Sequence, residues 1–425
     1  MASSTDPCQI AAERLIAGTI GATWLLWLVG GLYIAGPSLG WVLAMIAGWK
    51  LFAAPALPAA QRPLQLGALI WSLLIGMAAM EVILLTGHAT NGFGFGQTIK
   101  SSIGWAKGWA LIALFPFAAA VLNVRAEVIY RAVCKLGRQT LVVLPIFVIA
   151  PYAGLPEMLW VSPLQIFGGS GPEYFATILY TIEPGAGTPR WQFFAPWSPA
   201  AGMVAVIHAL CAAEEKNIRW KLVGIAAALL MAILSQSRLA LVALVLIWPV
   251  SFAISRLGKS WIWWLGAPAI LALGLLAPIL VEIADQLVSD FSSARADSSR
   301  VRAALGRIAM ERWQNEAPWF GHGIVESGPH LVEYMPIGSH HSWYGLLFVK
   351  GVTGLLALAI PLLIAALVMA KLAISHPLGR IGLSMVLVLV FYSFGENLEI
   401  LAYLYWPGLA LLGVAARQSV AANLH

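Results

Sequence analysis

Charge is scarce in this sequence. Of 425 residues only 10% are charged, while 60% are hydrophobic. A soluble globular domain carries roughly 25% charged residues. A water-soluble fold of this composition would have no place for so much apolar surface, so the bilayer has to act as solvent. Cysteine is scarce too. Cys8, Cys134 and Cys211 have no metal-ligand spacing. All three fall on or near the expected cytoplasmic side, where thiols stay reduced, so no disulfide is expected. A cleavable leader is not expected, because Asp6 and Glu13 spoil a basic start and no small-residue cleavage site follows. There is no nucleotide-binding motif, and Gly92-Phe93-Gly94-Phe95-Gly96 lacks the lysine and strand context of a phosphate-binding loop and reads as a flexible outer loop. No paired acidic motif is present to hold a divalent metal. The net charge of +6 does not mark a nucleic-acid binder, because the cations form no single soluble stripe.

What is present is length of apolar chain. A span needs ~20 mostly apolar residues. The sequence predicts an all-α polytopic membrane protein of about twelve transmembrane helices, near 15–35, 38–59, 64–87, 101–123, 138–160, 197–213, 219–235, 238–256, 261–282, 341–370, 378–394 and 398–416. An even number places both termini on one side. With that side cytoplasmic, the inner segments hold Arg14, Arg62, Arg125, Arg131, Lys135, Arg138, Lys216, Arg219, Lys221, Arg256, Lys259, Lys371, Arg380 and Arg417, as the positive-inside rule asks. Trp41, Trp105, Trp160, Trp197, Trp261 and Trp343 fall near span ends, as an aromatic belt should. The whole chain, 1–425, reads as one membrane domain with a periplasmic helical cap. The cap would come from two long periplasmic segments, 161–196 and 283–340, since connections of that length usually serve function. Asp297, Ser298 and Ser299 offer N-cap oxygens for a helix in the second segment. Val301, Leu305 and Ile308 give it an apolar face, and Pro318 with Gly321-His322-Gly323 ends it. Such an amphipathic helix is expected to lie on the outer membrane interface.

Two sets of residues point to chemistry. The first comprises the outer arginines Arg190, Arg238, Arg295, Arg300, Arg302, Arg307 and Arg312. They run against the topological preference. Guanidinium forks match phosphate oxygens in pairs and stay charged beside a low-dielectric surface. Arg238, at the start of a span in Ser235-Gln236-Ser237-Arg238, is the most informative, with Arg190 and Arg300 or Arg302 next. The plainer reading is anchorage to lipid head groups or pairing with Glu282, Asp285 or Asp290, and it is preferred for Arg295, Arg307 and Arg312. The second set is His340-His341-Ser342, before an apolar span with Gly351 and Gly354. If Ser339 caps that span, both histidines lie in its first turn, where the helix end disfavours imidazolium. A neutral imidazole there suits proton abstraction from a hydroxyl; the alternative is an interfacial pair with ordinary hydrogen bonds. Glu81, Glu396 and Glu399 could each orient an arginine or a substrate sugar but read first as structural ion-pair partners, and Lys50 and Lys107 as snorkelling. His88, His208, His322, His330, His376 and His425 share no metal spacing.

Four pieces, in order, carry a resemblance. They are Thr188-Pro189-Arg190-Trp191-Gln192-Phe193-Phe194-Ala195-Pro196, Ser237-Arg238, Ser299-Arg300 through Pro318-Trp319-Phe320-Gly321-His322-Gly323, and His340-His341-Ser342 with Gly351 and Gly354. Together they resemble the O-antigen ligase and polymerase-like family of bacterial inner-membrane glycosyltransferases, over about 185 to 355. Counted back from Gly351, His340 takes the family's histidine slot; matched through Ser342, His341 does. The register at Arg300 or Arg302 is likewise open. The resemblance implies a periplasmic transfer from an undecaprenyl-pyrophosphate-linked O-antigen donor to a lipid A–core acceptor, in contact with membrane lipid and with neither metal, ATP nor other cofactor. It implies that Arg190, Arg238 and Arg300 or Arg302 face the pyrophosphate, and His340 or His341 the acceptor hydroxyl. A polymerase of the same superfamily would use similar chemistry. A transporter of lipid-linked glycan would instead carry charges deep in several spans.

Overall fold

The computed structural model describes residues 6–58, 61–169, 171–183, 187–279, 282, 286, 296–338 and 340–422. The helices are α1 (Pro7–Gly21), α2 (Thr23–Leu28), α3 (Leu32–Ala53), α4 (Ala68–Thr90), α5 (Phe95–Lys107), α6 (Trp109–Val121), α7 (Ala126–Ile149), α8 (Ser198–Ala213), α9 (Ile218–Leu234), α10 (Arg238–Ser255), α11 (Ser260–Leu275), α12 (Ala296–Glu316), α13 (Ser342–Ser375), α14 (Pro377–Ser393) and α15 (Leu398–Ala422). Among the described residues, Leu32–Ala56, Ala68–Thr90, Phe95–Val121, Ala126–Ile149, Arg238–Ser255, Ser342–Ser375 and Leu398–Ala422 are long and apolar enough to cross a membrane, and Ser198–Ala213 and Pro377–Ser393 are shorter apolar helices. The chain is an all-α polytopic membrane protein. Phe52, Val142, Trp264 and Leu275 stand on its outside, each more than two-thirds exposed. Such side chains need lipid around them.

α15 is the hub. From Leu401 to Ala416 every residue is buried, because the helix is enclosed by α3, α6, α8, α13 and α14. Backbones approach where a side chain is missing. A Cβ on Gly413 would lie 2.2 Å from the Pro116 carbonyl oxygen of α6. Close approach through small residues is how membrane helices gain contact without a hydrophobic drive between them.

Three local expectations change. The span expected near 138–160 is α7, which starts at Ala126 and ends at Ile149. Its basic start continues the helix because Arg131 is held by Glu215 of the α8–α9 turn at 2.7 Å. Met158–Val161 is instead a strand, β1, paired antiparallel with β2 (Ala176–Ile178). A second short ladder joins β3 (Thr181–Ile182) to β4 (Pro189–Arg190), so the segment 161–196 carries extended structure. The Gly92–Gly96 stretch is not all loop, because Phe95 already opens α5.

The expected helix of the second long segment is α12. Its apolar face does not meet the membrane interface. Val301, Ala304, Leu305 and Ala309 are buried against Val332, Ile337 and Phe348. The covering residues lie later in the chain, in a loop and in α13, where helical periodicity alone could not place them. Glu282 is described, whereas Asp285, Asp290, Arg295 and Ser339 lie outside the described residues.

α13 is broken. Gly351 has φ +65° inside it, which opens the ladder and strands backbone groups on both sides. The loop 318–323 satisfies them. His322 and Gly323 donate their N–H groups to the carbonyls of Phe348 and Val349 at 2.8 and 2.9 Å, and Val352 and Thr353 donate to the carbonyls of Pro318 and Trp319. Non-helical backbone at membrane depth is tolerated only where protein supplies its partners. The second glycine, Gly354, leaves room for the stem of Lys350, whose Cβ would be 2.3 Å from an added Cβ. His88 and Asn91 at the end of α4 hold the same loop through the carbonyls of Gly323 and Gly321.

Candidate active site

The first arginine pair is assembled by backbone contacts. Gln236 donates its side-chain N–H to the Pro189 carbonyl at 3.2 Å, and Trp191 N–H reaches the Leu234 carbonyl. These bonds lay the β4 strand, with Arg190, against the turn before Arg238. Ser237 is the N-cap of α10 and accepts the Ala240 N–H at 3.3 Å. Arg238 is the first residue of that helix, so its guanidinium is carried at a helix N-terminus. That combination favours an anion. Arg190 is already engaged, because Glu183 closes on it at 2.6 Å with both side chains largely covered. An anion at Arg190 would have to share it with that carboxylate.

The second part forms where α12 crosses the start of α13. Gly306 permits the crossing, since a Cβ there would lie 2.8 Å from the Tyr344 ring. Arg302 is one turn before Gly306 and therefore on the same face. Its charge reaches both His340 and Glu396. Arg300 lies two residues earlier, about 200° around the helix. The structure thus separates two arginines that the sequence left equivalent, and Arg302 is the one whose charge reaches His340.

His341, rather than Ser339, is the N-cap of α13. Its Nδ1 accepts the Tyr344 N–H at 3.3 Å, and its ring stacks on Tyr344 with centroids 4.0 Å apart. The neutral ring then carries its proton on Nε2 and offers a donor there. Burial pushes His341 down to about 4. Burial, followed by the nearby Arg302, pushes His340 down to about 4 as well. Both imidazoles are neutral at pH 7, as expected, but the leading cause is desolvation rather than the helix end. An imidazole of such low basicity is a weak proton acceptor at neutrality.

Ser342 is a strut. Its hydroxyl donates to the Glu396 carbonyl at 2.7 Å and accepts the Leu398 N–H at 3.0 Å. It ties the start of α13 to the α14–α15 turn. A Cβ on Gly395 in that turn would press on Leu239 of α10. A continuous chain of contacts thus runs from the Arg190 strand through the 236–239 segment and the 395–398 turn to Arg302, His340 and His341.

Glu396 is a residue that sequence reasoning ranked too low. It was expected to be an ion-pair partner. Its side chain is buried at 2% exposure, and its Oε2 accepts the Trp197 indole N–H at 2.9 Å. Burial pushes it up to about 7, with Arg302 and the Trp197 hydrogen bond acting the other way. The sequence signal was only an acidic residue in a short turn between apolar spans.

Other conspicuous residues near the site are structural. Arg312 binds Glu316 at 2.8 Å and Glu326 at 2.6 Å and lies over the Phe348 ring. His322 places one ring nitrogen 3.0 Å from the Phe348 carbonyl and the other 2.8 Å from Glu316. Arg312 first, then His322, holds the Glu316 carboxyl down at about 2. Lys50 does not snorkel but is buried against Asp6, and Lys107 donates to the Phe167 carbonyl at 2.7 Å. Among the described residues no group of three His, Cys, Asp or Glu side chains is placed to hold a metal ion.

Residues 223–359 match the family model described as O-antigen ligase. The matched segment runs from α9 past the break in α13, and Arg190 and Glu396 lie outside it. No curated protein matches the chain. The resemblance to the O-antigen ligase family therefore holds over residues 223–359, which carry Arg238, Arg300, Arg302, His340 and His341.

Proposed function

We propose that this protein is an O-antigen ligase-type glycosyltransferase of the bacterial inner membrane, multi-pass, with both termini cytoplasmic and its active site on the periplasmic face. It moves O-antigen polysaccharide from undecaprenyl pyrophosphate to the lipid A–core oligosaccharide. The observation that carries the reading is the gathering of Arg238, Arg302, His340 and His341 at one rim of the helix bundle, joined by the 395–398 turn. Fixed cations at a membrane surface suit a lipid-linked pyrophosphate leaving group. Spreading its developing charge lowers the barrier without metal or ATP.

In this reading Arg238 and Arg302 hold the pyrophosphate, and Arg190 joins them by sharing its guanidinium between Glu183 and the phosphate. The Nε2–H of His341 and the ring of His340 hold the acceptor hydroxyl. Direct attack of that hydroxyl on the anomeric carbon inverts its configuration. Arg300, on the other face of α12, serves the membrane or outer surface. Deleting the gene and resolving the host's lipopolysaccharide on a gel tests the reading. A ligase loss leaves core without O-antigen and lets long lipid-linked glycan accumulate. Core bearing a single repeat unit would reassign the protein as the polymerase, and unchanged lipopolysaccharide would remove both.

A further inference from the structure

The turn that carries Glu396 is fixed from several sides. Ser342 grips its backbone from α13, and Gly395 is packed under Leu239 of α10. Trp197, at the start of α8, holds one carboxyl oxygen, and Arg302 of α12 projects its field onto the same carboxyl group. Groups from four helices thus converge on one turn and its carboxyl group. A buried acid with no close cation is costly to keep; such groups concentrate where protons are exchanged. The nearby histidines are poorly suited to that task. His341 has its Nδ1 committed to the Tyr344 N–H, and both rings are held at low basicity by burial.

We propose that Glu396 receives the proton of the acceptor hydroxyl during glycosyl transfer. The assignment rests on the glycosyl-transfer reading above. In the step, the hydroxyl oxygen forms a bond to the anomeric carbon. The bond from that carbon to the pyrophosphate oxygen breaks, and its electron pair leaves with the pyrophosphate. The O–H bond breaks, and its proton passes to the Glu396 carboxylate, which becomes a neutral acid and returns the proton to water as product departs. The histidines then orient the hydroxyl. Arrival of pyrophosphate at Arg302 strengthens the base, because an anion beside that guanidinium weakens its hold on the carboxylate. Burial sets Glu396 at about 7, which matches a proton acceptor working near neutral pH.

The groups facing Glu396 bound what a pH profile can report. They are Arg302 from α12 and the Tyr392 phenol from α14; Trp197 from α8 does not titrate, His340 and His341 precede the Ser342 that grips the turn, and Glu399 follows on α15. Above pH 5 both histidines, held at about 4 by burial, are already neutral. A limb near neutrality is assigned to Glu396 by its loss in Glu396→Gln.

The test uses the purified full-length protein with undecaprenyl-pyrophosphate-linked glycan and lipid A–core, followed as kcat against pH. The wild type should gain rate as pH rises through about 7. Glu396→Gln should lose about 100-fold or more in kcat and lose that limb, with KM for the donor little changed. Glu396→Asp should recover part of the rate, and His340→Gln should keep the limb while losing rate. Trp197→Phe, which removes a stabilising donor, should move the limb to higher pH. Infrared titration of the carboxyl C=O stretch in folded wild type and Glu396→Gln gives a readout independent of turnover, and the wild type should show a band titrating near neutrality that the variant lacks. A Glu396→Gln protein with wild-type rate, or one that keeps the limb while His340→Gln loses it, overturns the assignment. A wild type that transfers no glycan under any condition overturns the underlying reading instead.

Discussion

Arg131 and Arg380 lie at one end of the bundle and close on Glu215 and Glu214, the latter pair at 2.5 Å. Arg125 is held there too, by both oxygens of Glu13. α8 and α14 run from this end to the other, where they present Trp197 and Phe394 beside Glu396, Arg302 and two neutral histidines. At the first end the arginines have protein carboxylates as partners, and the result is neutral and rigid. At the second, burial pushes the nearest acid up to about 7 and both rings down to about 4, and Arg302 acts through its field on His340 and Glu396. Arginines that look alike in a sequence thus differ in their surroundings: Arg131 and Arg380 close on carboxylates, whereas Arg302 works through its field.

That contrast can be broken by experiment. The largest expected effect is on Arg302→Ala, which should lower glycan transfer by about 100-fold with the fold intact, since it removes a fixed cation from the leaving group. The assay is turnover by purified variant against thermal unfolding of the same sample. Next comes Gly351→Ala. It places a Cβ 2.3 Å from the Trp319 carbonyl group at positive φ and should cost about 2–3 kcal/mol, read as a lower Tm in detergent and as protease sensitivity of the 318–323 loop. Glu215→Gln at the opposite end should cost about 1–2 kcal/mol with turnover per folded molecule unchanged. The smallest effect is expected of Arg300→Ala, within about 2-fold of wild type, as exposed charges usually are. A large loss there would reverse the assignment of faces on α12.

The two ends should also answer pH with opposite sign. The side-chain hydrogen bond from Arg131, against the effect of burial, holds Glu215 below its ordinary value. Its stabilisation is present above the unfolded value near 4.5 and is lost as pH falls through the lower folded value. Glu396 is raised from 4.5 to about 7, so the folded state binds the extra proton between those values. Stability falls as pH rises across that window, and ionised Glu396 is a burden above it. Glu396→Gln should therefore gain stability relative to wild type between pH 5 and 8, while Glu215→Gln should lose its disadvantage in acid. Melting curves across pH decide both. A variant that is steadier yet inactive is the pattern expected where function is kept at the expense of stability.

Much of the helical architecture was legible because apolar runs of span length are hard to misread. Each expected apolar segment overlaps a helix, but α12 already includes Ala296, so Asp297, Ser298 and Ser299 lie within it rather than capping it. The breaks were less visible. The motif Gly321-His322-Gly323 could not reveal that its backbone completes another helix thirty residues on, because that pairing exists only in three dimensions. His341 reads as a reactive ring, yet its Nδ1 also closes a helix end, a dual use that only the Tyr344 N–H distance reveals. Arg300 and Arg302 were inseparable until Gly306 fixed which face meets Tyr344. Glu396 was ranked too low because its significance comes from Trp197, Arg302 and Ser342, each on a different helix, and none of them close in sequence.

The interruption at Gly351 has a mechanical consequence. The stretch from Ser342 to Lys350 is bonded to the 318–323 loop on one side and to the 396–398 turn on the other. The stretch beyond Gly351 starts on the same loop, through the N–H groups of Val352 and Thr353, before it enters the apolar body. One short loop thus splices the two rods of α13, so the break fixes the angle between them rather than leaving it free.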